Sequence, residues 1–237
     1  MIEFFTMGAP SPRKVSIMLE EVGLPYEWHW VNAYAGEHKQ PAFLAKSPNG
    51  RLPAMIDHDA PDGPLLLWES AAMLIYLAEK TGLFLPASGA QRYHVLKWAS
   101  FQATHAPYLG NAHWYRLLSP EAEPYSINRF IKEARRIYTL LDEELATRPY
   151  LAGADYSIAD ISFFPWIEYH QWQGQDMADY PHLSAWFDRV GARPAVQRGR
   201  CIPYPQTEYG DSPESRAAQA RIEALMADPA RFPTPQT

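Results

Sequence analysis

Hydrophobic and polar positions follow one rhythm up to about residue 82 and another after it. In the first part, short apolar runs alternate with helical periodicity. Ile2 to Phe5 is a short apolar run that predicts a strand. A loop, Met7-Gly8-Ala9-Pro10-Ser11-Pro12, follows, and then Val15, Met18, Leu19 and Val22 recur at the spacing of one helix face. Ser11 suits the N-cap of that helix, Pro12 its first residue and Gly23 its end. Tyr26 to Val31 is aromatic and β-branched enough for a second strand. A short helix is expected after Pro41, closing near the turn Pro48-Asn49-Gly50. Ala54–Ile56 and Leu65–Trp68 read as strands joined by the turn-rich stretch Asp57 to Pro64. Ala71, Leu74, Ile75 and Ala78 mark a helix closed at Gly82. Strand-helix-strand followed by strand-strand-helix requires a right-handed parallel crossover and then an antiparallel edge. The expectation is a small mixed sheet with helices on both faces.

After a linker at residues 83–89 the pattern is almost wholly helical. A long helix is expected over 90–117, bent near Pro107. The cleanest periodicity runs from Ile127 through Phe130, Ala134, Ile137 and Leu141 to Leu145. Ser157-Ile158-Ala159-Asp160 opens another helix, its acid three residues after the serine and able to satisfy backbone donors at a buried helix start. A further helix is expected from Pro181 to Ala192. Residues 202–237 are proline-rich around one amphipathic stretch, 213–226. The fold class is therefore α/β plus all-α: an N-terminal unit over 1–82, a helical unit over 90–201 and a C-terminal extension over 202–237.

Composition narrows the function classes. Of 237 residues, 47% are apolar and 20% charged, enough for a full core. No apolar run approaches the ~20 residues that span a bilayer, and the start Met1-Ile2-Glu3-Phe4-Phe5 has no signal-peptide character. A soluble, cytoplasmic protein without membrane partners is expected. A net charge of −6 without a basic block argues against nucleic acid as a partner. The single cysteine, Cys201, excludes an internal disulfide, a zinc finger and a CxxC redox pair. The eight histidines show no ligand spacing, so no metal is expected. No GxGxxG, Walker loop or GxSxG occurs, which removes a nucleotide cofactor and a serine-hydrolase elbow. Aromatic residues are abundant at 14%, and Trp114, Tyr115, Trp166, Tyr169 and Trp172 either wall an apolar pocket or simply form helical core.

Three places carry candidate chemistry. Thr6 and Ser11 bring hydroxyls to the loop before the first helix, where orphan N–H groups and positive potential stabilise an anion. A thiolate there would be activated, but no cysteine is present, so the thiol must belong to a ligand. Ser11 also reads as no more than a helix cap. The second place is Asn49-Gly50-Arg51-Leu52-Pro53, where a proline before a strand can be cis and would then expose the Leu52 backbone to an extended peptide. An ordinary trans proline is the plainer reading. The third is Glu69-Ser70, a carboxylate and a hydroxyl at a helix start, suited to an amino acid's ammonium and carboxylate or, equally, to capping.

Taken in order and spacing, four segments resemble cytosolic glutathione transferases. They are Pro10-Ser11-Pro12-Arg13-Lys14-Val15 leading to Leu19-Glu20-Glu21, Ser47 to Ala54, Glu69 to Leu77, and Tyr156 to Asp160. Leu77 to Leu85 and the Asp57-His58 hairpin resemble the bacterial nu-class branch, related to the yeast prion-like nitrogen regulator. The first loop departs from that branch: Ala9-Pro10-Ser11 stands where its members usually carry a Thr-Pro-Asn type sequence. The resemblance covers about residues 1–200. It implies a thioredoxin-like N-terminal domain, a helical C-terminal domain, a homodimer, and glutathione as co-substrate along the sheet edge. It implies that Leu52, before cis-Pro53, pairs with the cysteinyl backbone and that Glu69 and Ser70 hold the γ-glutamyl end. It places Arg51, with Lys39 or His38, at the glycine carboxylate, Ser11 at the thiol with Thr6 as the fallback donor, and Ser157 with Asp160 in a structural capping box.

The expected activity is transfer of the glutathione thiol to an electrophilic small molecule. Two alternatives stand beside it: reduction of a disulfide by bound glutathione rather than by protein cysteines, and a glutathione-binding regulatory module without turnover. A glutathione-dependent isomerase also fits the sequence.

Overall fold

The structure is a computed structural model and describes residues 1–119, 123–203 and Ala220. Apart from Ile202, Pro203 and Ala220, the C-terminal extension lies outside the described residues, as does the rest of the amphipathic stretch 213–226. Four strands, β1 (Ile2–Thr6), β2 (Tyr26–Trp30), β3 (Ala54–Asp57) and β4 (Leu65–Trp68), form one sheet in the order β2-β1-β3-β4. β1 and β2 are parallel, with Phe4 opposite Trp28, and their connection carries α1 (Pro10–Val22). β3 runs antiparallel to both β1 and β4, the latter pairing being the one that the turn-rich hairpin connection requires. Ile2, Phe4 and Thr6 alternate as the buried positions of β1. On the opposite face Phe5 packs with Phe43 of the short α2 (Pro41–Leu44), Leu52, Val31 and Ala54.

Helix α3 (Ser70–Thr81) packs beside α1 and ends at Gly82 in the left-handed conformation, just as α1 ends at Gly23. The helical part comprises α4 (Gly89–His113), α5 (Pro124–Leu145), α6 (Ile158–Ile167), α7 (Pro181–Gly191) and α8 (Pro194–Arg200). Helix α4 runs on through Pro107 and passes into one π-type turn at Trp114–Leu118. Helix α8 has no counterpart in the sequence expectation: seven residues are too few to display a period.

The two parts share one continuous hydrophobic core, and α1 lies inside it. Every residue from Pro12 to Leu19 is buried, because α3, α6 and α8 all pack on this helix. An amphipathic surface helix buries one stripe; α1 buries its polar positions too, including Arg13, Lys14 and Ser16. The expected cap is corrected here. Ala9 is the N-cap residue, with no side-chain hydrogen bond, and the helix begins at Pro10, so Ser11 is its second residue.

The helical part is pinned at the start of α6. The Asp160 carboxylate accepts from Ser157 N–H (3.0 Å), Leu151 N–H (2.9 Å) and Trp186 Nε1 (2.9 Å). With the Ser157 side chain bonded to the Ala159 N–H, this forms a complete capping box. Burial nevertheless outweighs these donors and pushes the Asp160 carboxyl up to about 6.

Helix α8 is held on α1 by close backbone approach. Ser16 Oγ donates to the Gly199 carbonyl (2.8 Å), and Arg193 forks onto Glu21 at 2.6 and 2.8 Å. A Cβ at Gly199 would lie 2.5 Å from Ile17 Cα, which is backbone and cannot swing aside. Gly199→Ala is therefore expected to destabilise the fold by ~1–3 kcal/mol, the usual range for overpacking. The measurement is the urea unfolding midpoint, with an unaltered midpoint counting against this contact.

Candidate functional site

A cleft of about 510 Å³ opens where the first loop, the end of the 47–53 turn and the start of α3 face helix α4. Ser11, Leu52, Pro53, Glu69 and Ser70 line one side, and Ala103, Ala106, Pro107, Gly110 and Asn111 of α4 line the other, with Trp166 of α6 nearby. Three segments that are far apart in sequence are thus brought to one place by the crossover topology.

Each contributes a distinct local geometry. The first turn of α1 contains Pro10 and Pro12, which have no N–H, so Ser11 supplies the one free amide among its first three residues. The Leu52–Pro53 peptide is cis and leads directly into β3. Glu69 sits at φ 77°, ψ 110°, a positive-φ conformation that costs a non-glycine residue free energy. It delivers Ser70 to the first helical position of α3, where backbone N–H groups are unpaired and an anion is stabilised. On the opposite wall Pro107 removes the amide that would bond the Ala103 carbonyl, leaving an acceptor on a cleft residue.

Of the other expected residues, Thr6, Lys39 and His38 do not line this cleft, whereas Arg51 does. Thr6 is fully buried at the end of β1, with its hydroxyl directed to the Met7 carbonyl (3.4 Å), and does not line the cleft. The alternation of β1 explains this, since Thr6 shares the core face with Ile2 and Phe4. Lys39 donates to the Gly50 carbonyl (2.9 Å), and His38 belongs to the same 3₁₀ turn, Glu37–Lys39. Both brace the back of the 47–51 turn; burial, then the Lys39 charge, hold the His38 imidazole below its ordinary value. Arg51 is exposed on the cleft rim. Asp160 and Ser157 are structural, as the bonds above make plain.

The most consequential residue absent from the sequence expectation is Lys14. It lines the cleft although it is only 2% exposed, and its Nζ donates to Gln102 Oε1 (2.6 Å) and Ser70 Oγ (3.3 Å). Burial pulls its ammonium down to about 7, against an upward pull from Glu69. A signal was present: Lys14 stands one position before Val15 and four before Met18, within the apolar stripe. Of the five aromatics, Trp166 alone lines the cleft; Tyr169 and Trp172 pack behind it around His113. Among the described residues no cluster of histidine, cysteine or acidic side chains could hold a metal ion. No described helix is long and apolar enough to cross a membrane.

A family model for the glutathione S-transferase N-terminal domain matches residues 9–80, and one for the C-terminal domain matches residues 105–194. The chain belongs to the glutathione S-transferase family. Among similar transferases and relatives, the disulfide-bond oxidoreductase YfcG of Escherichia coli is 40% identical over 199 residues, covering 83% of this chain and 93% of the relative. A glutathione transferase family member from Pseudomonas fluorescens with two glutathione bound is 37% identical with a TM-score of 0.80, covering 84% of this chain and 92% of that one. The glutathione transferase URE2P6 from Phanerochaete chrysosporium, in complex with oxidized glutathione, is 33% identical with a TM-score of 0.78 and covers 84% and 94%. This glutathione S-transferase thus has the thioredoxin-like sheet and helical second part that the resemblance implies, with Ure2-type proteins among its neighbours.

The aromatic cluster behind the cleft makes its stability pH-dependent. His113 lies parallel to Trp166 with Tyr169 and Trp172 at its other sides, its Nδ1 has no hydrogen-bond partner, and burial pulls its imidazole down to about 4. The unfolded chain binds this proton near pH 6.5 and the folded one only near 4, so the folded state loses stability as pH falls through that window. The loss attributable to His113 is ~3 kcal/mol. Asp160, raised rather than lowered, works in the opposite direction between about pH 6 and 4. Denaturant unfolding from pH 7 to 4 should therefore show a shallower acid loss for His113→Phe than for the wild type, and parallel curves would count against this burial.

Proposed function

We propose that this enzyme binds glutathione in the cleft and holds its sulfur as a thiolate beside Ser11. One observation carries the reading: Ser11, Leu52–Pro53 and Glu69–Ser70 line a single cleft, whereas Cys201, the sole cysteine, is exposed beyond α8. The sulfur must arrive with the ligand. In this reading the Leu52 backbone pairs with the cysteinyl unit, Glu69 takes the γ-glutamyl ammonium, and Ser70 with the first amides of α3 takes its carboxylate. Arg51 meets the glycine carboxylate from the rim, and Lys39 and His38 act indirectly by holding the turn that carries Arg51.

A free thiol titrates near ~8.5, so only a few per cent is thiolate at neutral pH. Lowering that by two units requires ~2.7 kcal/mol. A hydrogen bond from the Ser11 hydroxyl to the charged sulfur, ~1.5–3 kcal/mol, with the Ser11 amide beside it, is of the right size.

Two acceptors suit such a thiolate. With an electrophilic small molecule that carries a leaving group, the sulfur bonds to carbon to give a thioether and the leaving group departs with the electron pair of the bond that breaks, as chloride does from chlorodinitrobenzene. With a disulfide it attacks one sulfur, the glutathione mixed disulfide forms, and the other half leaves as thiolate and takes up a proton. A second glutathione then attacks the mixed disulfide, releasing glutathione disulfide and the remaining half as thiol. The disulfide reading is favoured by the relatives, one named a disulfide-bond oxidoreductase and others holding two glutathiones or oxidized glutathione.

Ser11→Ala should raise the pKa of bound glutathione by about one to two units. Thiolate ultraviolet absorbance against pH reads this directly, and an unmoved titration would take Ser11 out of the role. For the acceptor, kcat/KM with hydroxyethyl disulfide is expected to exceed that with chlorodinitrobenzene. The reverse order would favour conjugation, and glutathione binding without turnover of either would favour a regulatory module.

A further inference from the structure

We propose that Lys14 is a positioning residue for the ligand's carboxylate: held by Gln102 of the helical part, its ammonium donates to Ser70 Oγ and thereby leaves the Ser70 hydroxyl proton free to meet an anion at the head of α3. The inference rests on the glutathione reading and goes beyond it, because Lys14 and Gln102 give the second part of the molecule a share in a site built on the first.

The geometry is specific. A serine hydroxyl has one proton and two acceptor positions. Lys14 Nζ at 3.3 Å occupies an acceptor position, so the proton is available elsewhere. The second bond, 2.6 Å to Gln102 Oε1, fixes the ammonium from α4. Gln102 is 1% exposed and its Nε2 has no partner, so the bond to Lys14 is the one polar interaction for which this buried amide is oriented. The face of Trp166 lies 5.9 Å from Nζ. No carboxylate is hydrogen-bonded to Lys14 among the described residues, and a buried charge without a paired opposite charge is costly. The titratable group facing it is Glu69, at the head of α3. Helices α4 and α6 present neutral Gln102 and Trp166, and the arginines of the α8 segment are engaged with Glu20, Glu21 and Glu168. The core-facing residues of β1 are uncharged. A ligand carboxylate at Ser70 would supply the missing counter-charge.

Charge on Lys14 should therefore be linked to binding. Its ammonium titrates near 7 in the empty site, so a carboxylate ligand should bind with proton uptake above that pH. S-methylglutathione is the suitable probe, since it keeps both carboxylates and has no thiol to titrate. In titration calorimetry its affinity for the wild type should fall roughly tenfold between pH 6 and 8, with net proton uptake at the higher pH. Lys14→Met should bind weakly with no pH dependence over this range. Lys14→Arg, permanently charged, should remove the pH dependence while keeping more affinity than Lys14→Met. Gln102→Glu places a carboxylate beside the ammonium and should move the midpoint of the pH profile upward by a unit or more. Lys14→Met binding as tightly as the wild type at pH 6, or a Gln102→Glu pH profile identical to that of the wild type, overturns the proposal while leaving glutathione binding intact. No binding of S-methylglutathione or glutathione by the wild type at any pH overturns the glutathione reading and this proposal together.

Discussion

The burial of α1 is the constraint on which the rest of the molecule depends. A helix in a βαβ crossover normally shows one side to solvent, but α3, α6 and α8 leave α1 no such side from Pro12 to Leu19. The same helix carries half-buried Ser11 at its tip and Lys14 one turn in, so one element both organises the packing and lines the cleft. Its contacts explain the surrounding sequence. Gly199 exists because α8 approaches the Ile17 backbone too closely for a side chain, and Arg193 and Arg198 reach back to Glu21 and Glu20 where the helix ends. The helical part thus takes the place of solvent around α1, and displacement of α6 or α8 would be felt at the cleft that α1 lines.

How much of this could be read in advance follows from where the information lies. Strands β1 to β4 and helices α1, α3, α5 and α7 carry their own periodicity, and each is found within a few residues of its expected place. The α6 cap was legible because Ser157 and Asp160 complete it within four residues. Helix α8 was not, since its reason for being helical is the surface of α1 rather than its own pattern. The start of α1 differs from its expected place for a related reason. Ser11 has the stronger capping propensity, yet with Pro10 already fixed at a helical φ the helix begins earlier and Ala9 takes the cap position without a side-chain bond.

The cleft divides in the same way. Ser11, Leu52–Pro53 and Glu69–Ser70 each bear a local mark, a hydroxyl near a helix start, a proline before a strand, an acid before a helix. That they face one another is a property of the sheet order, which local marks do not contain. Thr6 shows the limit of reading residue type alone, because a strand's alternation turns its hydroxyl into the core. Lys14 shows the opposite error. A lysine in an apolar stripe is easily passed over as a surface residue at the margin, whereas the absence of any solvent-facing side on α1 makes it an interior cation with a Ser70 contact.

The two prolines that open α1 bear on how the proposed site at Ser11 would hold a thiolate. A helix N-terminus ordinarily offers several unpaired amides, and their sum is what lowers the energy of an anion placed there. Pro10 and Pro12 remove two of them, so the field at this tip comes from fewer donors than an unsubstituted first turn would supply. Only the Ser11 amide and hydroxyl remain among the first three residues. The proline pair makes the loop stiff, since both φ angles are fixed before any ligand arrives, and stiffness is what allows a single hydroxyl to be aimed without an ordering cost on binding. If the sulfur is borrowed, as proposed, a tip with few amides to spare relies on the placement of one side chain, and Pro10 and Pro12, on either side of Ser11, restrict the loop that carries it.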